Sequence, residues 1–123
     1  RTTPLTITSM IKFRIGDIVS VEFPFSDLQT HKRRPGLVLI SGEIDLLVAR
    51  VTTRPPRDPS DVALNHWAEI GLPRASTVRL TKLATIDQRL VHHNIGRLHA
   101  KDSRAVAQAW QKLAASVVTE LRA

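Results

Sequence analysis

The residues best suited to chemistry in this chain are cations and a hydroxyl. Lys32, Arg33 and Arg34 are contiguous in HKRRPGLVLI and run directly into a proline and an apolar, strand-like segment. Arg50, Arg54 and Arg57 lie on or just after a second apolar segment, LLVARVTT. If the two segments pair as antiparallel strands, Thr52 and Thr53 at the end of one come beside Arg34 at the start of the other. A guanidinium presents a planar fork of donors that matches a phosphate, and a threonine hydroxyl adds a short, fixed donor. The chemistry that follows is oxyanion binding, as at a phosphate backbone. A solvated basic turn ahead of a core strand is the competing reading of the same residues. His31 opens the stretch. It titrates in the range useful for proton transfer, or it is a solvated loop residue, because a loop fixes a base poorly.

Other chemistries find little support. His92 and His93 are adjacent in a strand-like segment, so their side chains point to opposite faces. There is no H-E-x-x-H pattern and no cysteine, so no metal site and no disulfide are expected. The five glycines form neither G-x-G-x-x-G nor G-x-x-x-x-G-K, and no G-x-S-x-G elbow is present. No cofactor is expected.

The 123 residues fit one domain, and 42% hydrophobic content supports a core. The net charge of +7 favours nucleic acid or an acidic protein as partner. Aromatic residues are only 4% and tyrosine is absent, so if the chain binds nucleic acid, charge should dominate over base stacking. No apolar run approaches the roughly 18 residues of a membrane helix, and RTTPLTITSM has no signal-peptide core. The expectation is a cytoplasmic protein with no membrane contact. Met10 is the only methionine, so residues 1–9 read as an upstream extension or cloning remnant, and residues 10–123 as a single domain.

The elements follow from periodicity. GDIVSVEFPF opens on a Gly16-Asp17 turn and alternates, with Val19, Val21, Phe23 and Phe25 on one side and Ser20, Glu22 and Pro24 on the other: a half-buried strand. Pro24 belongs at an edge or a strand end. PGLVLI, LLVARVTT, STVRLTKL and HHNIGRLH are further strands. RPPRDPSD, with three prolines in eight residues, is a loop. LNHWAEIGLP predicts a short helix with Asn65 as N-cap and Gly71 ending it. TIDQRL is a turn or a helical turn. DSRAVAQAWQKLAASVVTEL predicts a helix capped by Asp102 or Ser103, packing Val106, Trp110, Leu113, Val117 and Leu121 on the sheet. The order suits a small twisted antiparallel barrel covered by helices.

GDIVSVEFPFSDLQTHKRRPGLVLI, then ARVTT, then STVRLTKLATIDQRLVHHNIGRL resembles the MazF/PemK toxins of type II toxin–antitoxin systems. The specific pieces are the G-D-[IV] strand, the [RK]-R-P-x-[LV]-V-L segment and the later T-I-D, in that order. The resemblance covers most of Met10 to Leu121. It implies an α+β, mainly β fold: a small SH3-like antiparallel β-barrel with a short helix and a C-terminal amphipathic helix, as a homodimer. It also implies a metal-independent, ribosome-independent endoribonuclease that cuts single-stranded RNA at short sequences and is neutralised by a cognate antitoxin. The arginine before the motif's proline matches Arg34, and the threonine closing the next strand matches Thr52. The family's V-R-x-D strand reads TVRLT, so Arg79 matches while Thr81 stands in place of the acid. A loop histidine of some members aligns with Leu28, and His31 is displaced in the same loop.

On this reading Arg34 and Thr52 are catalytic and His31 is the candidate base. Lys32, Arg33, Thr53, Arg54 and Arg79 hold the RNA, with Lys32 and Arg33 alternatively meeting acidic residues of the antitoxin. A gyrase poison on the same barrel and a non-catalytic RNA- or protein-binding SH3-like module are the alternatives.

Overall fold

The computed structural model describes residues 12–23 and 32–123. The extension expected over residues 1–9 lies outside these residues, as do Pro24, Phe25, Leu28 and His31. The chain runs β1 (Asp17–Val21), β2 (Arg34–Ser41), β3 (Asp45–Thr52), β4 (Asp61–Leu64), α1 (Trp67–Ile70), β5 (Ser76–Asp87), a 3-10 turn (Gln88–Leu90), β6 (His93–Arg97) and α2 (Ala100–Arg122). The strands form one sheet in the order β4-β5-β3-β2-β1-β6, and every neighbouring pair is antiparallel. The mainly β class and the terminal helix are as expected.

The strands have apolar residues on both faces, and their period of two sorts these into two clusters. Ile18, Leu37, Ala49, Val51, Val78 and Leu80 point one way and pack with Val62, Leu64, Ile70, Leu72 and Val106. Val19, Val21, Val38, Val48, Leu46, Ala84 and Ile86 point the other way and pack with Phe23. β1 is therefore buried along its whole length rather than half-buried: Ile18 is fully enclosed, and even Ser20 is only 7% exposed. Gly36 is required for the second cluster, because a Cβ there would overlap the side chains of Val48 and Phe23.

The expected barrel is not closed by strand pairing. The two edge strands, β4 and β6, do not hydrogen-bond to each other. β4 has only four residues and leads directly into α1, which lies against β6. A Cβ on Gly96 would overlap the Ile70 carbonyl, so glycine lets helix and strand backbones touch there. One turn of helix thus bridges the gap that a barrel would close with a ladder.

β4 itself lies where a loop and the start of a helix were expected. α1 is a single turn ending at Gly71, whose φ of 109° is in the left-handed region that favours glycine. Its N-terminus is not capped by Asn65. Instead the amides of Asn65 and His66 donate to the Asp102 carboxylate at 2.9 and 3.0 Å. Asp102 was expected to cap its own helix; that role falls to His99, whose Nδ1 accepts from the Lys101 amide at 3.1 Å. Asp102 is 2% exposed and ties α2 to the β4–α1 junction. Asp102→Ala should cost about 2 kcal/mol in urea unfolding, since it strips a buried acceptor from two amides. A loss below about 0.5 kcal/mol would mean that water replaces the carboxylate without penalty.

The stripe on α2 packs only in part. Val106 is buried, and Ala109, Trp110 and Leu113 pack on the first cluster, but Val117 is 51% exposed and Leu121 80%. The cause is length. A helix of 23 residues runs about 35 Å, whereas β4, the strand it packs beside, has four residues and spans about 13 Å, so the end of the helix extends beyond β4.

Candidate functional site

Cross-strand register places a set of charged side chains on one face of four adjacent strands. Asp61 on β4 pairs with Arg79 on β5, Arg79 pairs with Arg50 on β3, and Arg50 pairs with Gly36 on β2. Arg34 and Thr52 are each two residues from a member of this row, so they share its face. Extending the Gly36–Arg50 register by two residues brings Arg34 level with Thr52. Arg34 is the first residue of β2, half-buried, paired with Val21 of β1. The β3–β5 register shifts between Ala49 and Arg50, and such irregularities re-aim the side chains beside them.

The row holds more cation than acid. The Asp61 side chain is fully buried; its Oδ2 accepts from the Arg57 amide at 2.9 Å and lies 3.6 Å from Arg57 Nε and 3.8 Å from Arg79 Nε. This is the acid that TVRLT lacks: Arg79 finds its carboxylate on a neighbouring strand, and Thr81 is exposed. Sequence reasoning missed it because Asp61 was assigned to a loop. It also gave Arg50 no role, although Arg50 stands two residues before Thr52 and the strand's alternation was signal enough. Arg34 Nε and Arg50 Nε are both buried without a hydrogen-bond partner. Burial lowers the Arg50 pKa below the ordinary arginine value, and the charges of Arg34, Arg79 and Arg54 lower it further.

The hydroxyl beside them is oriented. The Arg54 amide donates to Thr52 Oγ1 at 3.3 Å, a long bond that leaves the hydroxyl proton free to donate elsewhere. Next to the row, Arg54, Pro55, Pro56, Arg57 and Arg79 line an open cavity of about 340 Å³. A second, of about 370 Å³, shares Arg54, Pro55 and Pro56 and is walled by Thr53, Trp67 and Thr77. The structure therefore brings Arg34, Thr52, Thr53, Arg54 and Arg79 to one end of the sheet. Lys32 and Arg33 are exposed just ahead of β2. Chemically, such a site can hold a phosphodiester and neutralise charge that builds on its oxygens.

Among the described residues, one group has the residue types of a metal centre: His66, Glu69 and His99. Glu69 lies 3.3 Å from His66 Nδ1 and 3.7 Å from His99 Nε2. The two rings are stacked, with centroids 3.8 Å and planes 12° apart. An imidazole binds a metal through a lone pair in its ring plane, and two stacked, nearly parallel planes do not meet at bonding distance. In addition, His99 Nδ1 is engaged by the Lys101 amide. The arrangement is a histidine stack braced by a glutamate, joining α1 to the start of α2.

The family model for PemK-like, MazF-like toxins of type II toxin–antitoxin systems matches residues 14–114. The chain is similar to the Mycobacterium tuberculosis toxin MazF-mt6, at 26% identity over 76% of this chain and 90% of that one, with a TM-score of 0.61. It shares the fold of MazF from Deinococcus radiodurans, at 19% identity over 85% and 97% of the two chains, with a TM-score of 0.64. It also shares the fold of an endoribonuclease solved in complex with its cognate antitoxin from a mycobacterial species, at 14% identity over 80% and 90%, with a TM-score of 0.64. No curated protein sequence matches the chain. Matched through its sheet and into its last helix, the chain belongs to the PemK/MazF family of toxins of type II toxin–antitoxin systems.

Proposed function

We propose that the chain is a metal-independent, ribosome-independent endoribonuclease that cuts single-stranded RNA at short sequences and thereby stops translation and growth. The observation that supports this is the row of arginines around Thr52, with the Nε atoms of Arg34, Arg50 and Arg79 buried without a hydrogen-bond partner among the described residues, in a chain of this family. The RNA supplies its own nucleophile. The 2′-oxygen attacks the adjacent phosphorus and the P–O5′ bond breaks, leaving a 2′,3′-cyclic phosphate and a 5′-hydroxyl. The 2′-hydroxyl proton leaves to a base, and the 5′-oxygen takes up a proton. DNA lacks the nucleophile and is inert. Arg34 neutralises the charge that grows on the phosphoryl oxygens, and Thr52 donates a hydrogen bond to one of them. Lys32, Arg33, Thr53, Arg54 and Arg79 hold the flanking backbone. His31 is the candidate base, since an unperturbed imidazole titrates near neutrality whereas a guanidinium stays protonated.

A cognate antitoxin is the second partner. Its neutralising segment covers the same cationic end of the sheet, with Lys32 and Arg33 as the exposed contacts for acidic residues. The active unit is a cytoplasmic homodimer. Incubating pure protein with a long single-stranded RNA in EDTA tests the central reading. The expected result is discrete fragments ending in cyclic phosphate. Intact RNA that shifts on a gel would replace the nuclease with a binding module, and cleavage abolished by EDTA would remove the metal-free route.

A further inference from the structure

We infer that Arg50 is a phosphate ligand in its own right, and that the anion it binds also stabilises the fold. The identity of the anion as an RNA phosphodiester rests on the nuclease reading; the anion site itself does not. Arg50 stands between the strand of Arg34 and its own partner Arg79, on their face of the sheet. Its Nε is buried with no partner, and among the described residues no carboxylate lies within ion-pair distance of it. The one buried acid of the row, Asp61, is engaged by Arg57 and Arg79. A buried donor left unsatisfied is costly, and more so when charged.

The cost stands at neutral pH. Folding lowers the Arg50 pKa, through burial first and then Arg34, Arg79 and Arg54. A base whose pKa falls on folding is charged less favourably in the folded chain, and this opposes folding at every pH below both values. With its Nε unsatisfied and its charge repelled, Arg50 lacks one thing: an anion whose acceptor oxygens come within reach of that Nε. A phosphate there accepts from the buried Nε and screens the three neighbouring cations at once. Substrate binding and fold stability are then linked through one side chain.

The test is thermal unfolding of the full chain in chloride and in inorganic phosphate at equal ionic strength. It compares wild type, Arg50→Met, Arg50→Lys and a control, Arg104→Met, which removes the same charge from an exposed position on α2. Phosphate should raise the wild-type and control Tm by several degrees. Arg50→Met should melt above wild type in chloride and gain little from phosphate. Arg50→Lys, which keeps the charge but not the fork, should gain less than wild type. On a 2′-O-methyl RNA of mixed sequence, which has no free nucleophile, Arg50→Met should flatten the slope of log K against log salt by about 0.7. A wild-type phosphate gain in either Arg50 variant overturns the inference, with Arg50→Lys deciding if Arg50→Met does not fold. If the gain depends on Arg50 but wild type leaves RNA intact in EDTA, the anion site stands and the nuclease reading falls. If RNA is cut and the gain ignores Arg50, the reverse holds.

Discussion

Arg34→Ala should lower the rate of RNA cleavage by about a hundredfold or more, roughly 3 kcal/mol of transition-state stabilisation, while the protein stays folded. The expectation rests on where Arg34 stands and on what it lacks. It is the first residue of β2, held by the strand that contributes Leu37 and Val38 to the two clusters, so the guanidinium is aimed by a rigid element. Its Nε has no hydrogen-bond partner among the described residues. Truncating it breaks no hydrogen bond or ion pair seen among the described residues, so the loss should fall on catalysis rather than on stability. An interaction made mainly as charge builds on the phosphoryl oxygens appears in kcat, with KM moved less. Initial rates on a defined RNA, beside an unfolding curve for each variant, check this. Near-wild-type cleavage by a folded Arg34→Ala protein removes Arg34 from the mechanism.

Asp61→Ala should destabilise the fold by about 3 kcal/mol, the effect of taking one partner from a buried ion pair. The Asp61 side chain is fully buried, faces two guanidiniums and accepts the Arg57 amide. Arg57 is half exposed and loses little, so most of the effect should pass through Arg79, whose side chain is 9% exposed. The double variant Asp61→Ala/Arg79→Met should therefore recover part of the loss, and a double-mutant cycle in urea measures the coupling. If the two losses simply add, Asp61 does not serve as the counter-charge of Arg79.

The contrast between these residues shows what the sequence could and could not convey. β2 and β3 are apolar runs joined by a short polar turn, so their pairing, and with it the neighbourhood of Arg34 and Thr52, follows from local pattern. β4 is four residues long and emerges from a proline-rich stretch, too short to display a period, so Asp61 was invisible as a strand residue. The caps failed for another reason. Asp102 serves amides some 36 residues away, and no local rule encodes a bond at that separation. On α2 the stripe was read correctly as a stripe. Periodicity says which residues share a face but not how far along the helix that face stays covered, and Val117 and Leu121 lie beyond Leu113, the last residue of the stripe that packs on the first cluster.

The sheet that stops short of closure has a bearing on the charge balance of its cationic end. An inner strand is held in register by a ladder on either side, but β4 is held by β5 alone. A slip of one residue along that single ladder would turn Asp61 to the opposite face and bring Val62 into the arginine row. Among the described residues, the only buried carboxylate beside those arginines thus sits on a strand of four residues at the margin of the sheet. Whatever fixes that strand lengthwise, including the grip of Asp102 on the residues just after it, also decides whether the arginines have a counter-ion.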